Sequence, residues 1–134
     1  SLWSEDAEGR PHDTFPMGGT AVAQIVAYDP DDRPPVVLAG IARVNGVGIS
    51  GAHSNDFDFV PVRLAPNHFG YAIRYEPLDL LPGKYIFRVH ALDSAGLRLF
   101  DTVTTEFTVT GEVRDYGFIR PRQAWLPGRG APLK

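Results

Sequence analysis

The sequence predicts an all-β protein, a sandwich of short antiparallel strands. Three observations carry that reading: apolar and polar residues alternate with a period of two, clusters of Gly, Pro, Asn and Asp cut the runs, and helical spacing is nowhere sustained. The best helical candidate, Pro77 to Leu81, is one turn at most. The clearest stretch is Leu80 to Thr110. There Tyr85, Phe87, Val89 and Ala91 alternate with Lys84, Ile86, Arg88 and His90, the pattern of a strand with one buried face. Asp93-Ser94-Ala95-Gly96 supplies turn chemistry, and Val103, Thr105, Phe107 and Val109 then alternate with Thr102, Thr104, Glu106 and Thr108. β-Branched and aromatic content favours a pleated, half-buried surface, so the two runs form a hairpin, led in by the Leu81-Pro82-Gly83 turn.

The other elements follow in chain order. Ser1 to Arg10 holds a short edge strand, and Pro11, Pro16 and Gly18-Gly19 predict an irregular segment after it. Thr20 to Tyr28 is a strand with Ala21, Ala23, Ile25 and Ala27 on one face and Val22, Gln24, Val26 and Tyr28 on the other. Both faces are largely apolar, which predicts a central strand or one covered by a partner. The prolines of Asp29 to Pro35 end it, because proline cannot donate to a ladder. Val36 to Val44 is the next strand, Asn45-Gly46 a tight hairpin turn, and Val47 to Ser50 the return. Phe57 to Leu64 reads as an edge strand because of Pro61, and His68 to Glu76 as a strand with Phe69, Tyr71, Ile73 and Tyr75 on one face. About seven to nine short strands separated by turns predict an immunoglobulin-like sandwich.

A chain of 134 residues is one domain by length, able to bury roughly two-thirds of its unfolded surface. The 43% hydrophobic and 22% charged fractions disfavour disorder, and no apolar run is long enough for a transmembrane helix. A net charge of -3 disfavours nucleic acid and anionic membranes as partners. The absence of cysteine excludes disulfides and thiolate chemistry and accords with a reducing compartment. With neither an initial Met nor a signal peptide, the chain reads as a domain cut from something longer.

Catalytic chemistry is poorly represented. The four histidines, His12, His53, His68 and His90, show no metal-ligand spacing, and no serine sits in a G-x-S-x-G elbow. Asp29, Asp31 and Asp32, and then Asn55, Asp56 and Asp58, are oxygen-rich, but calcium needs six to eight converging oxygens and solvated turn acids are the simpler reading. No metal, cofactor or catalytic residue is therefore expected. The outward face of the central hairpin is more informative. Arg88, His90 and Glu106 form a polar row there, which Arg74 and Gln24 join if their strands share the sheet, and Tyr28 offers a ring for stacking. Such donors and acceptors suit sugar hydroxyls, and an aromatic ring suits a pyranose face. An ordinary solvated sheet face explains the same pattern. In the tail, Tyr116, Phe118, Ile119 and Trp125 are large apolar residues in a segment too short to form a core alone. They are expected either to dock on a second protomer or to fold back as an edge strand.

The order of these motifs resembles the C-terminal polysaccharide-recognition domain of the ATPase subunit of O-antigen ABC transporters, the Wzt type. The resembling residues are Phe15 to Ala27, Gly40 to Gly51, Leu80 to Val109 and the closing Gly117 to Trp125. The resemblance implies a non-catalytic domain that recognises a finished bacterial surface polysaccharide. It also implies a homodimer with an exchanged C-terminal strand, an ATPase domain in the same parent chain, a membrane permease as partner, and a cytoplasmic place at the inner membrane. The chain lacks a G-x-x-x-x-G-K-[ST] phosphate loop and cannot hydrolyse ATP by itself. On this reading residues 1–111 are the carbohydrate-binding sandwich and 112–134 the strand and tail available for exchange. The alternatives are an extracellular immunoglobulin-like module attached to a glycosidase or surface protein and, ranked below it, a calcium-dependent adhesion domain.

Overall fold

The computed structural model describes residues 1–130. The strands are β1 (Leu2–Glu5), β2 (Thr14–Pro16), β3 (Ala21–Tyr28), β4 (Val37–Arg43), β5 (Gly48–His53), β6 (Val62–Ala65), β7 (His68–Tyr75), β8 (Gly83–Leu92) and β9 (Leu99–Thr110). They form two layers, a four-stranded sheet in the order β1-β3-β7-β6 and a five-stranded sheet in the order β2-β9-β8-β4-β5. Every pairing is antiparallel except β2 with β9. No helix among the described residues is long and apolar enough to cross a membrane.

The period-two pattern produces this arrangement directly. Ala21, Ala23, Ile25 and Ala27 of β3, Phe69 and Tyr71 of β7, and Tyr85, Phe87 and Val89 of β8 are all buried between the layers. Aromatic rings dominate the centre: Phe87 and Phe107 stack with centroids 4.0 Å apart, Tyr75 lies on Phe87 at 5.7 Å, and Phe15 meets Phe107 edge-on at 6.2 Å. β3 lies between β1 and β7 as a central strand of its sheet; its outer Val22 and Val26 are half-buried.

The hairpin turns follow their sequence chemistry. Gly46 has φ of 91°, and its N–H donates to the Arg43 carbonyl at 2.8 Å. The Asp93 carboxylate accepts from Leu97 N–H at 2.8 Å, closing the β8–β9 turn.

Three segments differ from the expectation. Thr14–Pro16, expected to be irregular, is a parallel edge strand on β9; Pro16 is tolerated because it ends the strand at the sheet rim. Phe57 to Leu64 is not one strand: a 3-10 turn at Ser54–Asp56 and an irregular run precede β6, which starts only after Pro61. The tail contributes a single bridge, Leu80 with Ile119, instead of a strand. Leu81 N–H donates to the Phe118 carbonyl at 2.8 Å, and Arg120 N–H to the Asp79 carbonyl at 3.1 Å.

Candidate functional site

On the outer face of the five-stranded sheet the registers fix rows that run across the strands. One row reads Gly51 (β5), Gly40 (β4), Arg88 (β8) and Thr104 (β9); a second reads His53, Leu38, His90 and Thr102; a third reads Gly48, Ala42, Ile86 and Glu106. The first row has no side chain on β4 or β5. The result is a shallow groove of about 290 Å³ whose lining includes Leu38, Gly40, Ser50, Gly51, Arg88 and His90. A Cβ on Gly40 would stand 1.9 Å from the Ser50 carbonyl oxygen, so the close approach of β5 to β4 demands glycine there.

Two side chains of this face are held in place. Arg88 Nη1 donates to the Gly46 carbonyl at 2.6 Å, and a Cβ on Gly48 would lie 3.5 Å from Nη2. Because β4 separates β8 from the β4–β5 turn, the Arg88 stem must cross β4 to reach it, and Ala42 and Ile86 beneath are buried although they point outward. His90 Nδ1 lies 2.7 Å from Thr102 Oγ1. Glu106 shares the face but stands opposite Ile86, outside the groove lining.

The row expected from the sequence is therefore divided. Arg88, His90 and Glu106 share one face, whereas Gln24, Tyr28 and Arg74 lie on the outer face of the other sheet, because β3 and β7 do not pair with β8. Tyr28 is 53% exposed and meets His68 edge-on at 5.4 Å. Sequence reading missed Trp3 and Glu5 on this second face. The alternation of Leu2 and Ser4 with Trp3 and Glu5 was the available signal.

In the tail, Phe118 and Ile119 are engaged within the chain. The Arg43 guanidinium sits 4.4 Å above the Phe118 ring, and Tyr85 Oη donates to both the Leu81 and Phe118 carbonyls, at 2.6 and 3.3 Å. Tyr116 and Trp125 are 98% and 91% exposed.

The first acidic loop, Asp29 to Asp32, is occupied by partners of its own. Asp32 accepts from Asn67 N–H at 2.8 Å and pairs with Arg63, and these contacts hold its carboxyl below the usual carboxylate range. Asp31 pairs with Arg33, and the buried Asp29 accepts from Arg33 N–H at 2.8 Å. Among the described residues no group of three or more His, Asp or Glu side chains could hold a metal ion. A second cavity, about 480 Å³, opens between the sheets beside β5 and β7, where Phe57, Phe59, Tyr71, Ile73 and Tyr75 line it.

The architecture defines a two-sheet β-sandwich whose outer faces carry polar rows. The sequence matches no protein-family model and no curated protein. Among solved structures the chain is similar to the C-terminal domain of Wzt, with a TM-score of 0.63 and 15% identity, covering 95% of this chain and 81% of that one. The two share a fold, in agreement with the resemblance drawn from the residues. The soluble domain of PmoD from Methylocystis sp. ATCC 49242 (Rockwell) aligns with a TM-score of 0.45 and 14% identity over 81% of this chain and 89% of that one.

Proposed function

We propose that this chain recognises a bacterial surface polysaccharide of the O-antigen type without catalysing a reaction on it, as the substrate-binding domain of an ABC exporter. The observation that carries the reading is the glycine-floored groove of the five-stranded sheet. Glycan chains are hydroxyl-rich and extended, so an open groove suits their length and fixed donors at its edge meet their hydroxyls at lower ordering cost. Gly40 and Gly51 provide the floor, Arg88 and His90 the donors, and Arg88 is already committed to one conformation by Gly46.

In this reading the ATPase domain lies in the same parent chain, the permease is the membrane partner, and the domain works in the cytoplasm against the inner membrane. The tail 112–134 joins two copies, with the exposed Tyr116 and Trp125 as its contacts and Phe118 and Ile119 as the anchor.

Calorimetric titration of the chain with the host's own surface polysaccharide tests the reading. Arg88→Ala is expected to weaken binding by about tenfold or more, the size of a lost charged hydrogen bond. Arg88→Lys keeps most of the stem over Ala42 and separates lost packing from lost recognition. Full binding by a folded Arg88→Ala protein would reject the groove as the site.

A further inference from the structure

The outer face of the four-stranded sheet carries a second constellation that the groove on the five-stranded sheet does not use. Trp3 of β1 stands opposite Gln24 of β3, which stands opposite Ala72 of β7. The neighbouring row reads Glu5, Val22 and Arg74. Alternation along each strand puts these residues on the exposed surface, while Ser4 and Ala23 between them are buried.

The side chains are organised before any ligand arrives. Trp3 Nε1 donates to Glu5 Oε2 at 3.0 Å, and Gln24 Nε2 donates to Glu5 Oε1 at 2.9 Å. One carboxylate thus fixes an indole and an amide with its two oxygens, so much of the rotamer entropy that binding would cost is already spent in folding. The Gln24 carbonyl oxygen remains as an acceptor. Arg74 is exposed and forms no ion pair among the described residues.

Because Ala72 is small, the surface dips beside Gln24 into a depression of about 450 Å³ between Glu5, Asp6, Gln24, Ala72 and Arg74. Its far wall is a defined turn: Asp6 Oδ1 accepts from Arg10 N–H at 2.9 Å and Glu8 N–H at 3.0 Å.

We infer that this depression, together with the Trp3 indole that stands outside its lining but is tied to it through Glu5 and lies opposite Gln24, is a second saccharide subsite, taking a neutral pyranose whose apolar face rests against that indole and whose hydroxyls meet the Gln24 carbonyl and the Arg74 guanidinium. An indole offers a large apolar surface at low entropic cost, which suits the C–H face of a sugar. The charge of the site selects the class. Glu5 and Asp6 outnumber Arg74, so an acidic sugar is repelled, in contrast to the groove lined by Arg88 and His90. The inference rests on the glycan-binding reading but concerns the opposite face of the molecule, so the two sites are independent.

The chain has two tryptophans, so Trp125→Phe leaves Trp3 as the sole indole reporter. That 134-residue chain would be titrated with gluco-, manno- and galacto-configured neutral trisaccharides, following both tryptophan emission and heat. A saturable emission change with at least one of them is expected. Gln24→Ala or Arg74→Ala should weaken it about tenfold or more, and Arg88→Ala should leave it unchanged. Heat of binding with silent Trp3 emission, abolished by Arg88→Ala, would overturn the second subsite and leave the groove standing. An emission change removed by Arg88→Ala would also overturn it. The absence of both heat and emission change with these sugars would overturn it too; if the host polysaccharide still binds through Arg88, the failure is confined to this face, and if nothing binds, the recognition function fails as well.

Discussion

Gly40 of β4 and Ser50 of β5 approach so closely that a methyl group on Gly40 would stand 1.9 Å from the Ser50 carbonyl oxygen and 2.7 Å from Gly51 Cα. Both obstacles are backbone, which cannot swing aside as a side chain can. Gly40 and Gly51 are also cross-strand partners, so the contact that requires glycine is the one that leaves the floor of the groove bare.

Gly40→Ala is therefore expected to push β5 away from β4 and cost about 1–3 kcal/mol, the range for overpacked sites. Gly128→Ala is the matched control, since no atom lies within 4 Å of a Cβ there. It should fall within about 0.5 kcal/mol of the parent protein. Urea unfolding of the two variants checks the contrast, and equal midpoints would show that β5 moves freely. Gly40→Ala should also lose polysaccharide binding, because a displaced β5 takes the groove floor with it.

Alkaline pH provides a separate test of the core. Burial pushes the Tyr71 hydroxyl up to about 12, with the nearby Asp29 carboxylate adding to the effect, and burial alone pushes Tyr75 up to about 12. The folded pKa exceeds the unfolded value of 10, so the protonated phenols favour the folded state. Their contribution is fully present below pH 10 and is lost as the pH rises towards 12. The melting temperature should fall steeply across that window. Absorbance at the phenolate band should show these groups ionising only as the fold is lost, whereas Tyr71→Phe should flatten part of the decline. A melting temperature independent of pH in that window would contradict the burial of the two phenols.

The fold was legible because most strands have one wet face, and period-two alternation records that face residue by residue. Tyr85, Phe87 and Val89 were assigned inward and are buried, as are Phe107 and Val109. Ile86 breaks the rule from the outside: it faces outward on β8 and is nevertheless buried, on the same face as an Arg88 whose guanidinium is drawn to the Gly46 carbonyl, a tertiary contact that no local pattern encodes. β2 was hidden for a similar reason. Three residues, the last of them proline, carry no periodicity, and their strand character comes from the parallel bonds offered by β9. The candidate site was only half legible. Alternation told which residues face outward on each strand, but not which strands are neighbours, so Arg88 and Gln24 were grouped although they belong to opposite faces. The role of Gly40 was invisible because it depends on how near β5 comes, a distance absent from composition and spacing.

Two truncations separate what the tail does within one chain from what it does between copies. Phe118 and Arg120 tie the tail to Leu81 and Asp79 through the backbone, Ile119 bridges Leu80, and Tyr85 Oη leans on the Phe118 carbonyl. Leu80, Leu81 and Tyr85 beneath them are buried, so a chain ending at Gly111 leaves the Leu81 N–H without its acceptor and opens that edge of the core to water. Its stability should drop by about 1–3 kcal/mol, the cost of one orphaned buried donor. A chain ending at Arg122 keeps every one of these contacts and removes the exposed Trp125 with the residues after it. Its melting temperature should match the full chain, yet if Trp125 joins two copies, its mass by light scattering should fall from dimer to monomer. A chain ending at Arg122 that keeps the mass of the dimer would place the pairing contact elsewhere, and a full chain that is already monomeric would remove the tail from any role in assembly.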